Sequence, residues 1–151
     1  MSKISLLEFA NRISEIIPVI MKEFARRQAD DLFKNRITLP QFLILNFLHR
    51  SGELKMTELA KLMKVTTAAM TGIVNRLVRD GYVARNYQPQ DRRIIKINLT
   101  VKGNSLVNKA NQQRQEMIIN IFGKVSDEDR QDYLRVLTRI CDILTKEQRE
   151  E

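Results

Sequence analysis

The feature that most restricts the fold of this 151-residue chain is a change of hydrophobic period at Gly81. Before it, apolar residues recur at helical spacing; after it they alternate, and beyond Thr100 the helical spacing returns. Upstream, Leu6, Ile13, Ile17, Ile20 and Phe24 predict a helix from about Ile4 to Asp31. Pro18 predicts a kink or a restart within it, because proline removes an amide donor. Thr38-Leu39-Pro40-Gln41 has the residues of a capping box, so a second helix is expected from Leu39 to just before Gly52. A short helix over Thr57–Met63, a tight turn at Lys64 and Val65, and a longer helix from Thr66 to Asp80 closed by Gly81 make a helix-turn-helix pattern. Tyr82–Tyr87 and Ile94–Leu99 read as two strands joined through Gln88-Pro89-Gln90-Asp91, with Ile95, Ile97 and Leu99 on one face. Thr100 caps a helix carrying Leu106, Val107, Ala110, Met117 and Ile121, and a second capping box at Ser126 and Asp129 opens the last helix. Its seam of Leu134, Leu137, Cys141 and Leu144 is widened by Tyr133, Val136, Ile140 and Ile143, so it offers a face to more than one neighbour. The expected fold class is mainly α with a small β-hairpin.

A composition of 43% hydrophobic and 29% charged residues suits one globular domain. The net charge of +8 points to a polyanionic partner, either nucleic acid or an acidic membrane surface. That charge is localised: residues 50–103 carry eleven basic side chains against four acidic ones. The segments on either side are close to neutral, so the pattern is the electropositive footprint that nucleic-acid binding requires. Cys141 is the only cysteine and His49 the only histidine, which excludes intrachain disulfides and cysteine zinc clusters. No cofactor and no catalytic activity are expected, in a reducing cytoplasm, with Cys141 as a buried core residue. The longest apolar runs, such as Phe42–Leu45, are too short for a spanning helix or a signal peptide, so no membrane association is expected.

On the helix from Thr66, a rotation of about 100° per residue puts Met70, Ile73, Val74 and Leu77 toward the core. The opposite side presents Ala68, Gly72, Asn75, Arg76 and Arg79, flanked by Thr66, Thr67, Ala69 and Thr71. A mid-helix glycine costs about 0.5 to 1 kcal/mol relative to alanine. Gly72 lies where core packing does not call for it, whereas close approach to a DNA major groove does. Asp91, Arg92, Arg93 and Lys96 cluster at or just after the hairpin tip, where an arginine suits the negative potential of a narrow minor groove. Lys61, Lys64 and Arg79 are expected on phosphates. A solvated helix face and an ordinary surface turn are the plainer alternatives for both groups.

From Leu39 to Gly103 the chain resembles the multiple antibiotic resistance regulator (MarR) family of winged-helix transcription factors. The resemblance rests on Leu59-Ala60, on Met70-Thr71-Gly72-Ile73-Val74-Asn75-Arg76-Leu77, on Asp80-Gly81-Tyr82-Val83, and most specifically on the run from Asp91 to Gly103. It implies a winged helix-turn-helix lobe over residues 37–103 and dimerisation helices over 1–36 and 104–151. It also implies a homodimer on a near-palindromic operator in double-stranded DNA, with Arg93 in the minor groove paired to Asp91. A further implication is repression, or less often activation, relieved by a small anionic aromatic effector. Arg26, Arg27 and His49 are weak candidates as its polar handles, with surface or interface roles as the alternative. One branch of the family senses peroxides through a cysteine near the N-terminus, and the position of Cys141 departs from that pattern. The competing function is a winged-helix module for nonspecific DNA organisation or protein contacts, whose affinity would not depend on DNA sequence.

Overall fold

The computed structural model describes residues 4–34 and 37–150. The chain runs α1 (Leu6–Lys34), α2 (Leu39–Ser51), β1 (Leu54–Lys55), α3 (Met56–Leu62), α4 (Thr67–Arg79), β2 (Val83–Tyr87), β3 (Ile95–Leu99), α5 (Val101–Phe122) and α6 (Asp127–Glu150). Two compact units emerge, one up to Asn111 and one from Gln112, so the division falls inside α5. The expected boundary after residue 36 lies outside the described residues.

Local chemistry sets most of the element ends. Thr38 caps α2: its hydroxyl accepts the Gln41 N–H at 3.4 Å, and the Gln41 side chain accepts the Thr38 N–H at 2.8 Å. At the other end Gly52 has φ 75°, and its N–H donates to the Leu48 carbonyl. The α3 helix begins one residue earlier than the sequence pattern predicts, with the Glu58 carboxylate accepting the Lys55 N–H at 2.7 Å. Lys64 takes φ 51° in the turn to α4. The α1 helix continues through Pro18 without the expected restart, since the loss of one donor leaves the neighbouring bonds of the helix in place.

The expected hairpin is part of a three-stranded antiparallel sheet with strand order β1-β3-β2. Val83 pairs with Leu99 and Tyr87 with Ile95, while the added strand pairs Leu54 with Ile97 and Lys55 with Lys96. At two residues, β1 is too short to show any periodicity. The core gathers Ile44, Leu45 and Leu48 of α2, Leu59 of α3, Met70, Val74 and Leu77 of α4, Ile97 of β3 and Val107 of α5. Each such buried side chain stabilises by about 1.5 to 3 kcal/mol relative to exposure.

At the junction of α4, β2 and α5 the backbones approach closely. Gly81, at φ 79°, turns the chain out of α4. Thr100 donates from its hydroxyl to the Gly81 carbonyl at 2.6 Å and from its N–H to the Tyr82 carbonyl at 3.1 Å. The same hydroxyl accepts the Gly103 N–H at 3.1 Å, which caps α5. A Cβ on Gly103 would lie 2.1 Å from the Tyr82 carbonyl oxygen, so only glycine lets α5 approach this closely.

In the second unit, Arg130 of α6 donates to the carbonyls of Phe122 at 2.8 Å and Val125 at 2.6 Å, closing the end of α5. The Phe122 and Tyr133 rings stack 5.4 Å apart. Ser126 caps α6 by accepting the Asp129 N–H at 3.1 Å. The α6 seam is exposed along Leu134, Leu137, Ile140 and Leu144. Cys141 is exposed as well, which corrects the expectation of a buried thiol: the apolar face that carries it is uncovered in a single chain. In the first unit, α1 likewise exposes Leu6, Phe9, Ile16, Ile17 and Ile20.

Two glycine substitutions should separate on thermal unfolding. Gly103→Ala forces α5 off Tyr82 and should destabilise by about 1 to 3 kcal/mol, the usual cost of overpacking. Gly72→Ala meets nothing within 4 Å and should stabilise by about 0.5 to 1 kcal/mol.

Candidate nucleic-acid interface

The α4 helix is positioned by its apolar side and capped at its start, which leaves its other side free. Met70, Val74 and Leu77 are fully buried and Ile73 is partly buried. Thr66 is the cap residue: its hydroxyl accepts the Ala69 N–H at 3.1 Å. Thr67, Ala68, Gly72, Asn75 and Arg76 are exposed together, and Gly72 has open space where a side chain would go. Thr71 is half-buried and donates its hydroxyl proton to the Thr67 carbonyl at 2.8 Å, so toward an outside ligand it acts as an acceptor. Asn75 accepts a hydrogen bond at Oδ1 from Arg85 Nη2 of β2. At the end of the helix Arg79 pairs with Asp80 at 3.1 Å and stays exposed. Lys61 and Lys64 are exposed on the approach to α4.

The tip between β2 and β3 is held by its own backbone. The Ile94 N–H donates to the Asp91 carbonyl at 3.0 Å, and the Arg93 N–H donates to Asp91 Oδ1 at 2.9 Å. Asp91 therefore meets Arg93 through the main chain, in place of the expected carboxylate–guanidinium pair. Arg92 and Arg93 are left exposed. Lys96 is different: its ammonium lies 3.2 Å from Glu53 Oε2, and only 29% of its side chain is exposed. It braces the sheet against the turn before β1, a contact that separates it from the two arginines. Glu53 also accepts the Asn86 side-chain amide at 3.2 Å. These bonds, with Asn86 first and Lys96 second, hold the Glu53 carboxyl below the ordinary carboxylate range.

Helix and tip share one concave surface. A cleft of about 480 Å³ is lined by Thr67, Thr71 and Asn75 of α4, by Arg85 and Arg93, and by Lys55. Lys55 and Arg85 escaped the sequence analysis. A usable signal existed for Arg85: strand alternation puts it on the same side as buried Val83, and a cation at a core-facing strand position asks for a partner. The suggested effector handles Arg26 and His49 each have a partner of their own. Arg26 bonds Glu23 within its own helix at 2.9 Å, while His49 in the last turn of α2 lies 3.4 Å from Asn104 of α5, and the cleft includes neither. Among the described residues, no group of three or more His, Cys, Asp or Glu could hold a metal ion.

A helix-turn-helix followed by a basic hairpin that shares its groove defines a winged helix-turn-helix protein. The MarR family model matches residues 37–95, from the start of the lobe to the hairpin. It is 33% identical over 97 residues to the HTH-type transcriptional repressor YetL of Bacillus subtilis, an alignment covering 64% of this chain and 58% of YetL. Among solved structures, a MarR family protein from Bacillus stearothermophilus superposes with a TM-score of 0.81 at 26% identity, over 94% of this chain and 99% of that one. The S. aureus MepR–DNA complex superposes with a TM-score of 0.71 at 25% identity, over 87% and 98% of the two chains.

The Glu53 cluster carries a pH dependence of definite sign. A carboxyl whose folded-state pKa is depressed contributes stability above its ordinary value of 4.5, and that contribution disappears as pH falls through the lower folded-state value. The stability difference between the wild type and Glu53→Gln, followed by urea unfolding, should hold steady above pH 5 and shrink on acidification below 4.5. A difference that grew on acidification would contradict the assignment.

Proposed function

We propose that this protein is a sequence-specific DNA-binding transcriptional regulator, acting as a homodimeric repressor on a near-palindromic operator, and not an enzyme. The observation that carries the reading is the single concave surface shared by Thr67, Thr71 and Asn75 of α4 and by Arg93 at the hairpin tip. A small-faced helix suits the major groove, and a preset tip with Arg92 and Arg93 suits the adjacent minor groove. Thr66, Thr67, Ala68, Thr71, Gly72, Asn75 and Arg76 are the proposed major-groove set, and Lys61, Lys64 and Arg79 the proposed phosphate contacts. The match of residues 37–95 to the MarR family model, the repressor name of YetL and the DNA bound to MepR support the same reading.

The exposed apolar faces of α1 and α6 support dimerisation through the terminal helices, residues 1–36 and 104–151, around the lobe of residues 37–103. A two-fold dimer places its recognition helices about 34 to 36 Å apart, one turn of DNA. Work on operator DNA would place the protein in the cytoplasm; no described helix is long and apolar enough to cross a membrane. Relief of repression by a small anionic aromatic ligand belongs to this reading through the family alone.

The deciding measurement is binding to the intergenic DNA beside the protein's own gene against scrambled DNA of equal length, at two salt concentrations. A preference of about a thousandfold or more is expected of a specific regulator. Equal, steeply salt-dependent binding to both would favour the nonspecific alternative. Arg93→Ala should weaken operator binding by about 1 to 3 kcal/mol with the dimer intact in sedimentation. Lys61→Ala should weaken binding alike on all sequences and reduce the salt slope by about one.

A further inference from the structure

The geometry points to Arg85 of β2 as a positioning residue that fixes Asn75 as a hydrogen-bond donor toward DNA and so helps set base preference. This rests on the DNA-binding reading above. Arg85 Nη2 donates to Asn75 Oδ1 across the contact between β2 and α4. The identity of the Asn75 atom follows from chemistry: a guanidinium has donors only, so the atom facing it must be the carbonyl oxygen of the amide. Arg85 is half-buried and its Nε is buried without a hydrogen-bond partner, so the bond from Nη2 to Asn75 is the one recorded for its guanidinium among the described residues. The bond therefore joins a side chain held by the sheet to one that is exposed on the recognition helix.

The consequence for recognition is directional. An asparagine free to rotate can meet adenine with both ends of its amide, accepting from N6 and donating to N7. With its carbonyl turned back to Arg85, Asn75 leads with its NH2 group. The bases that offer acceptors alone in the major groove are then favoured, and guanine offers two of them, O6 and N7. Thr67 and Thr71 line the same cleft, and the Thr71 hydroxyl proton is already committed to the helix backbone. That leaves Asn75 as the amide donor on this stretch of the helix.

The test is selection of bound sequences from a randomised duplex library by the full-length protein and its variants. Asn75→Ala should erase the preference at one position in each half-site, identifying the base that Asn75 reads. Arg85→Met, which removes the donor and keeps the apolar stem, should move that same position from guanine toward adenine by about tenfold, within the range of one bidentate contact. Arg85→Lys, which restores a donor, should return it to guanine. A merely structural Arg85 would lower affinity on all sequences and leave the preferred base unchanged, and that outcome overturns the inference.

Asn75→Asp covers the case in which Arg85→Met does not fold. It keeps the pair with Arg85 but has no donor, so the guanine preference should vanish. Retention of that preference also overturns the inference. Enrichment of no sequence by the wild type removes the DNA-reading assignment itself, whereas a clear wild-type motif left untouched by all these variants removes Asn75 as a base reader and with it the role of Arg85.

Discussion

The near-contact of Gly103 with the Tyr82 carbonyl is the constraint around which the winged lobe is arranged. Three elements meet there: the end of α4, the start of β2 and the first turn of α5. Thr100 bonds Gly81 and Tyr82 on one side and caps α5 on the other. Lys102 adds a bond to the Asp80 carbonyl at 2.7 Å and lies 4.5 Å from the centre of the Tyr82 ring. The direction in which the hairpin leaves α4 is thereby fixed by short-range bonds to residues some twenty positions downstream. Since β2 also supplies the partner of Asn75, the same junction governs how the helix and the tip present themselves as one surface.

Much of this was legible from residue order because the information was local. The caps at Thr38 and Ser126, the turn at Gly81 and the alternation from Ile95 to Leu99 each depend on residues a few positions apart, and each lies where the pattern put it. What escaped reading depends on distant partners. Lys96 reads as one more cation of the hairpin until Glu53, 43 residues earlier, is brought beside it by β1. The strand responsible is two residues long and carries no period of its own. Cys141 reads as a core residue because its neighbours at helical spacing are apolar, but hydrophobic spacing identifies a face that seeks cover and not which chain provides it.

The cations of the middle segment thus divide by what they already touch. Lys96 is committed to Glu53, Lys102 to the carbonyl of Asp80, and Arg85 to the recognition helix. Arg92 and Arg93 stand at a tip whose backbone is closed by Asp91, with their side chains exposed. A formal charge counts all of them equally. Only the exposed ones offer a polyanion an attraction that is not first subtracted from a bond within the protein, so the effective footprint is smaller and sharper than the sequence charge of residues 50–103 suggests.

The uncovered faces of α1 and α6 carry a consequence for how the protein exists at all. If two copies cover these faces mutually, folding of the terminal helices and assembly are one thermodynamic event, and stability acquires a dependence on concentration. Dilution would then loosen those helices as well as separate the subunits. Cellular abundance would then set how much of the chain has those helices in place.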